Sequence, residues 1–272
     1  MKIVVTGSRG MLGTDLVSIL NKTENEIIPI GREDIDITNR DEVIEVLKKL
    51  SPDMIINCAA YTDVEGAEDN KEECGNVNVK GVQYIVDVCK KEGIIFFQIS
   101  TDYVFDGKKE GCFEGDKKNP INFYGETKAK AEDYILENLE KYYIIRTSWL
   151  FGKHGKNFVN TIRRLISERD EIKVVQDQIG CPTYTKDLSA GIVNVLDKPY
   201  GIYHLTNSEP CSWYEYAKEI AKLEKSSCVV KGCSSDEYPL KAERPQHSIL
   251  LNSKADNMRG WKEALRDYIQ EK

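Results

Sequence analysis

The sequence predicts an α/β fold, a doubly wound parallel sheet joined by a smaller C-terminal substrate lobe. Three observations point there. Through residue 150, short apolar β-branched runs alternate with stretches of helical spacing, the rhythm of repeated β-α units. The run at 94–99 is apolar almost without a break, as a strand covered on both faces must be. A glycine-rich turn joins the first strand to the first helix. A length of 272 residues suits one large α/β domain, alone or with a small appendage.

Lys2–Thr6 is the first strand. Gly7-Ser8-Arg9-Gly10-Met11-Leu12-Gly13 follows, and helical spacing then runs through Leu16, Val17, Ile19 and Leu20. The glycines permit a tight turn and a close approach of backbone to a pyrophosphate, whose charge meets the N–H groups at the helix start. A strand before and a helix after are the context that gives such a motif meaning. Its G-x-x-G-x-x-G spacing departs from G-x-G-x-x-G and points to one branch of the Rossmann-type nucleotide-binding folds. Glu26–Ile30 reads as the second strand, whose end should meet the adenosine ribose. An acid there favours NAD, but this chain has Gly31-Arg32. Arg32 can pair with a 2′-phosphate; Glu33, Asp34 or Asp36 can reach the ribose in its place, and Arg32 is equally well a solvated turn residue. The cofactor is therefore NADH or NADPH.

Residues 41–50 have helical spacing through Val43, Ile44, Val46 and Leu47. Residues 54–60 read as a third strand ending in small residues, with Tyr61-Thr62-Asp63-Val64 at the carboxyl edge, where ligands of parallel sheets bind. A helix over 75–91 places Val79, Val82, Ile85, Val86 and Cys89 on its core stripe and ends at Gly93. Strand 94–99 leads into Ser100-Thr101-Asp102. A flexible loop over 106–119 precedes a helix after Pro120, and 142–148 is the next strand. The rhythm loosens after Trp149-Leu150-Phe151-Gly152: a helix through Phe158, Ile162 and Leu165, a strand at 172–175, a helix at 185–196, and a strand at 201–206. Trp213–Leu223 is a helix capped by Ser212, 239–251 is irregular, and a helix over 256–269 closes the chain. Residues 1–150 are expected to form the nucleotide-binding domain. Residues 151–272 are expected to be mostly the substrate lobe, with some segments returning to the sheet.

The chemistry concentrates in Asn122-Phe123-Tyr124-Gly125-Glu126-Thr127-Lys128. Tyr124 and Lys128 lie four apart, on one helical face. A free phenol has a pKa near ~10, and a fixed ammonium beside it favours the phenolate. Such a tyrosine can exchange a proton with an alcohol or a ketone. Thr101, at the carboxyl end of a buried strand, can hold the reacting oxygen by its hydroxyl. Tyr-x-x-x-Lys alone is a common helix-surface coincidence; the glycine motif upstream is what gives it weight. With hydride from a nicotinamide, Thr101, Tyr124 and Lys128 describe a carbonyl reductase or alcohol dehydrogenase.

A formal net charge of -7, with no basic cluster denser than Lys108-Lys109 or Lys117-Lys118, leaves nucleic-acid and membrane-surface roles unsupported. No cleavage signal precedes the first strand, and no apolar run approaches a membrane span. The 8 cysteines are scattered without a C-x-x-C pair, and the 3 histidines lie far apart. That pattern argues for a reduced, cytoplasmic protein without a metal site.

In their order along the chain, these features resemble the extended short-chain dehydrogenase/reductase family. Ser100-Thr101-Asp102-Tyr103-Val104-Phe105-Asp106-Gly107, Tyr124-Gly125-Glu126-Thr127-Lys128, Arg146-Thr147-Ser148-Trp149-Leu150-Phe151-Gly152 and Asp177-Gln178-Ile179-Gly180-Cys181-Pro182-Thr183 look like the signature blocks of its dTDP-4-dehydrorhamnose reductase branch. The likeness covers nearly the whole chain, most weakly after about Lys225. It implies NAD(P)H-dependent reduction of the C4 ketone of dTDP-4-dehydro-L-rhamnose to dTDP-L-rhamnose, a precursor of surface polysaccharide. In that resemblance Tyr124 gives the proton to the C4 oxygen, Lys128 lowers its pKa and binds the nicotinamide ribose, and Thr101 bonds the same oxygen. It also implies Gly10, Met11 and Leu12 at the pyrophosphate, Asp36 and Ile37 on the adenine side, and Ala60, Tyr61 and Thr62 at the nicotinamide half. Asp102, Tyr103 and Trp149 would face the dTDP-sugar, although Trp149 also fits a core aromatic. Related dehydratases need an acid directly after Thr-Asp, where this chain has Tyr103. Related epimerases usually carry a longer substrate lobe. A non-catalytic regulatory subunit, like that of methionine adenosyltransferase, is opposed by the intact Thr101, Tyr124 and Lys128. A reductase of another 4-keto sugar nucleotide stays open, as does a homodimer, for which no residue pattern speaks.

Overall fold

The computed structural model describes residues 1–271. β1 (Lys2–Thr6), α1 (Met11–Leu20), β2 (Glu26–Ile30), α2 (Arg40–Leu50) and β3 (Met54–Asn57) alternate as the periodicity predicts. Two short helices, α3 (Val64–Asp69) and α4 (Lys71–Gly75), lead to α5 (Val82–Glu92), β4 (Ile95–Thr101), α6 (Phe123–Asn138) and β5 (Tyr142–Thr147). The second half comprises β6 (Leu150–Phe151), α7 (Phe158–Glu168), β7 (Glu171–Val175), β8 (Ile179–Gly180), β9 (Thr183–Tyr184), α8 (Thr185–Val195) and β10 (Gly201–His204). It ends with β11 (Cys211–Ser212), α9 (Trp213–Leu223), β12 (Val229–Cys233), β13 (His247–Ser248) and α10 (Trp261–Gln270).

Six strands form one parallel sheet in the order β2-β1-β3-β4-β5-β10. The order reverses between β1 and β3, and a ligand of such a sheet binds in the crevice outside the carboxyl ends there. Both faces are covered, which is why the strands are apolar throughout. Val43, Leu47, Ile85, Val86 and Ile135 of α2, α5 and α6 pack on one face; Leu16 and Leu20 of α1 pack with Leu188 and Ile192 of α8 on the other. β10 and α8 thus carry C-terminal sequence back to the central sheet. The remaining C-terminal elements enclose a second core around Phe151, Tyr184, Tyr216, Trp261 and Tyr268. Among the described residues no helix is long and apolar enough to cross a membrane.

The boundaries depart from the sequence expectation where side chains redirect the backbone. β3 ends at Asn57 rather than 60, because the Asn57 side chain ties neighbouring strand ends together. It accepts from the Thr6 hydroxyl at 2.5 Å and the Ala59 N–H at 3.2 Å, and donates to Gln98 at 2.8 Å. The helix expected at 75–91 begins at Lys71 and carries a π-helical turn over Asn76–Gly81. α3 starts because the Asp63 carboxylate caps the Gly66 N–H at 3.0 Å, a cap the sequence reading did not use. α10 starts at Trp261 rather than 256: the Asn252 side chain takes the N–H groups of Lys254 and Ala255 into a loop. β12 and the two-residue strands are defined by distant partners, so no local period announces them.

A buried ion pair fixes α6 to the sheet. Arg146 of β5 donates to Glu132 of α6 twice, at 2.7 and 3.0 Å, and the two side chains are 2% and 0% exposed. The Ser100 hydroxyl adds a bond to Glu132 at 2.5 Å, and the Lys118 ammonium lies at 3.3 Å. Burial opposes ionisation of Glu132, but Arg146, Lys118 and Ser100 outweigh it and hold the carboxyl below its ordinary value. Arg146 also donates to the Glu114 carbonyl and meets His204 Nε2. His204 Nδ1 lies 2.9 Å from the Leu251 carbonyl, so Nδ1 carries the proton and Nε2 accepts. Glu132→Gln leaves Arg146 buried without its counter-charge, and it is expected to lower stability by ~3–5 kcal/mol. Replacing Glu132 and Arg146 together by Met should lower it less; chemical denaturation compares the two.

Candidate active site

The first half of the site is a cradle at the end of β1. Gly7 has φ +63°, and a Cβ there would lie 2.6 Å from the Ala59 nitrogen. A Cβ at Gly13 would collide with the Gly7 carbonyl. Both positions therefore need glycine, and the turn closes through a Gly10 N–H bond to the Gly7 carbonyl at 3.0 Å. α1 has Gly10 as its N-cap, without a side-chain cap or an acid in its first turn. Its N–H groups are open to an anion, as a dinucleotide pyrophosphate requires. Leu12 is buried, so only its backbone is offered to a ligand. Met11 lies against Gly152.

At the end of β2 the acids are committed internally. Glu33 is ion-paired with Arg9, Asp34 accepts the Gly31 N–H at 2.7 Å, and Asp36 accepts the N–H and hydroxyl of Thr38. Those Thr38 bonds lower the Asp36 carboxyl from its ordinary value. Arg32 is exposed beside them. Ile37 is buried against Gly81, so its side chain belongs to the core and only its backbone remains for an adenine. Arg9 is a cation at this end that the sequence reading passed over within the glycine motif.

The segment from Ala60 to Thr62 is held by a residue the sequence reading missed. Asn78, 1% exposed in the π-helical turn, accepts the Tyr61 N–H at 2.8 Å and donates to the Tyr61 carbonyl at 3.0 Å. It also donates to the Thr127 hydroxyl of α6 at 3.1 Å. An asparagine between Val77 and Val79 on an apolar stripe was the available signal. π-helical turns occur frequently at functional sites.

Thr101 ends β4, and α6 brings Tyr124 and Lys128 to the same edge. α6 is capped by Asn122, which accepts the Gly125 N–H at 2.8 Å. Gly125 itself is required, because a Cβ there would collide with the Tyr103 carbonyl. Lys128 is 3% exposed, and its Nζ donates to the Ile99 carbonyl at 2.7 Å. Burial lowers its ammonium to about 8, with Glu132 one turn on working against that. The spacing to Lys128 predicts a lowered phenol at Tyr124. The free chain has the opposite: burial and the Asp102 carboxyl raise Tyr124, and the Thr101 hydroxyl only partly offsets them. Lys128 spends one hydrogen on Ile99 and does not offset the desolvation of the ring.

Around this centre, the Tyr103 ring meets Tyr124 edge-on with centroids 6.1 Å apart. Arg244, paired with Glu65 at 2.7 Å, lies 5.8 Å from the Tyr103 ring centre. Asp102 is buried, with Oδ1 accepting from Thr101 at 2.8 Å. Trp149 has φ +49°, a strained conformation for a bulky residue, and its ring stacks on Trp213 at 3.4 Å and 6°. A Cβ on Gly180 would lie 2.5 Å from that ring and 2.7 Å from the Ser248 hydroxyl, so Trp149 and Ser248 both pack against Gly180, and the Ser248 hydroxyl lies near Asp102 in turn. Trp213 and Arg244 were not foreseen; only tertiary packing carries them there.

A cradle for a dinucleotide and a tyrosine-lysine pair thus share one sheet edge. The family model described as the RmlD substrate binding domain matches residues 1–272. The chain belongs to the RmlD family, that of the dTDP-4-dehydrorhamnose reductases. Among its RmlD relatives, dTDP-4-dehydrorhamnose reductase of Aggregatibacter actinomycetemcomitans is 37% identical, covering 98% of this chain and 97% of that one. Spore coat polysaccharide biosynthesis protein SpsK of Bacillus subtilis (strain 168) is 36% identical over 100% and 98%. The crystal structure of dTDP-4-dehydrorhamnose reductase from Bacillus anthracis str. Ames in complex with NADP superposes with a TM-score of 0.96 at 39% identity, over 100% and 99% of the two chains. A UDP-glucose 4-epimerase of Thermus thermophilus, at 18% identity and a TM-score of 0.84 over 99% and 98%, shares the fold. Within this RmlD chain, Asn78→Ala leaves the Tyr61 N–H and carbonyl without their partner; it is expected to lower stability by ~1–3 kcal/mol in denaturant titration.

Proposed function

We propose that this chain reduces the C4 ketone of dTDP-4-dehydro-L-rhamnose to dTDP-L-rhamnose with NADPH or NADH. The observation that carries this reading is the meeting of the glycine cradle with Thr101, Tyr124 and Lys128 at one sheet edge. It comes in a chain whose full-length relatives bear that reductase name. The bound nicotinamide would supply hydride to C4. The protein then has to bind, orient and protonate. Tyr124, its phenol raised by burial, keeps its proton at physiological pH and gives it to the C4 oxygen as charge develops there. An alkoxide is far more basic than a phenolate, so this transfer runs downhill even from a raised phenol. Lys128 keeps two hydrogens beyond the one given to Ile99, enough for the hydroxyls of a nicotinamide ribose. Its charge then stabilises the phenolate left on Tyr124. Thr101 holds the C4 oxygen, while Asp102, Tyr103 and Trp149 form the wall toward the sugar. Arg32, exposed beside Asp36 while the carboxylates of Glu33, Asp34 and Asp36 are held by Arg9, Gly31 and Thr38, favours NADPH.

A second reading has its own support. A dTDP-4-keto-6-deoxy-D-glucose reductase of Streptomyces niveus is 36% identical over 96% of this chain and 90% of that one, so another 4-keto sugar nucleotide is the competing substrate. Oxidation of NADPH and of NADH, followed by absorbance with dTDP-4-dehydro-L-rhamnose generated in situ, tests the proposal. Sugar-dependent oxidation yielding dTDP-L-rhamnose is expected; oxidation with only another keto sugar transfers the chain to the second reading. Tyr124→Phe is expected to lower kcat by ~10²–10⁴ with cofactor affinity nearly unchanged, and retained turnover would remove Tyr124 from the mechanism. Arg32→Ala should weaken NADPH ~10-fold more than NADH in titrations of bound cofactor; equal losses dismiss the 2′-phosphate role.

A further inference from the structure

In the reading above, Thr101 must offer its hydroxyl proton to the substrate carbonyl. A hydroxyl has one proton to offer. In the free chain that proton goes to Asp102 Oδ1 at 2.8 Å, the Tyr103 N–H donates to the same hydroxyl at 3.2 Å, and the Tyr124 phenol lies within its hydrogen-bonding reach, so the proton is shared out between Asp102 and the reacting centre. An ionised Asp102 can only accept, and would hold the proton away from the site. Yet the surroundings of Asp102 are poor ones for a carboxylate. The residue is 3% exposed, and its Oδ2 is buried without a hydrogen-bond partner among the described residues. The titratable groups that face it are Tyr103 on its own turn, Tyr124 of α6 and Cys181 between β8 and β9. Each can carry only negative charge. The Ser248 hydroxyl of β13 lies near, and Arg244, beyond the Tyr103 ring, is already paired with Glu65. A carboxyl so placed holds its proton to a higher pH than an exposed one.

We propose that Asp102 is a positioning residue for the reaction assigned above: as a neutral acid it donates to Thr101 Oγ1 and so turns the Thr101 proton toward the carbonyl oxygen beside Tyr124. The proposal rests on that functional reading. Burial raises the Asp102 carboxyl to about 7, against the Thr101 and Ser248 hydroxyls and the backbone N–H groups of Asp102 and Tyr103, which favour its charge. The neutral form is therefore present below that pH and is lost as pH rises through it. Above it, Asp102 reclaims the Thr101 proton and turnover falls. Lys128 titrates on the same side, at about 8. Asp102→Asn separates the two, because a carboxamide can donate to Thr101 at every pH.

The experiment is the pH profile of kcat for the wild type, Asp102→Asn and Asp102→Leu at saturating cofactor and keto sugar nucleotide. The Asp102 carboxyl is titrated in parallel by ¹³C NMR, its resonance assigned by its loss in Asp102→Asn. The wild type is expected to lose ~10-fold in kcat per pH unit above its alkaline midpoint, and Asp102→Asn to move that midpoint up by ~1 unit while staying within ~10-fold of wild type at low pH. Asp102→Leu should lose ~100-fold at all pH with cofactor affinity retained. An Asp102→Asn profile that superimposes on the wild type overturns the proposal, as does a carboxyl ionised throughout roughly pH 5–9. If no 4-keto sugar nucleotide is reduced, the functional reading falls. The NMR titration then still tests the device: a carboxyl neutral below about pH 7 supports it, and an ionised one removes it.

Discussion

Arg146 and Glu132 are two full charges with almost no access to water, and neither is tolerable there without the other. Their two-fold hydrogen bond joins β5 to α6 at one register only, since a guanidinium and a carboxylate match as planar forks. Apolar packing alone would let α6 slide or rotate on the sheet at little expense. The pair removes that freedom, and Lys128 and Tyr124, one and two turns toward the helix start, are placed as a result. Ser100, Lys118, Glu114 and His204 complete the hydrogen bonding of the pair. That set draws the loop before α6 and the edge strand β10 into the same constraint.

A second polar layer crosses the carboxyl edge of the sheet. Thr6, Asn57 and Gln98 join β1, β3 and β4 side chain to side chain, and Asn78 joins the Tyr61 backbone to α6. These bonds lie where parallel strands end and the ladder no longer satisfies the backbone. The same region must stay open to a ligand, so polar side chains rather than apolar packing hold it. The strain at Trp149 and the close approach at Gly180 belong with this edge. A ring stacked on Trp213 in a strained backbone is held there by its neighbours rather than by local preference.

Much of the fold was legible because its determinants are local. Alternating apolar runs mark β1 to β5, and Gly7 to Gly13 announce a turn that only glycine can make. Pro120 announces the helix α6, and the Ser212 cap marks where α9 begins. Three of the misplaced boundaries share one cause. Asn57, Asp63 and Asn252 end or start elements through side-chain bonds that compete with the regular ladder. β8, β11 and β13 have only two residues each, too few for a period to show.

The sequence by itself determined the alternation of strands and helices through β5, the glycine cradle, and the spacing that sets Tyr124 and Lys128 on one helical face. Those depend on φ/ψ allowance and on periods of two and 3.6 residues, which neighbouring residues settle among themselves. The tertiary structure decided the charge state and the company of the site. It buried Asp102, half-buried Tyr124, gave one Lys128 hydrogen to Ile99, and occupied the acids beside Arg32. It also brought Arg244 to Glu65 across 179 residues of chain. Desolvation and long-range pairing fix such properties, and both are set by what the fold places around a residue rather than by what precedes it in the chain.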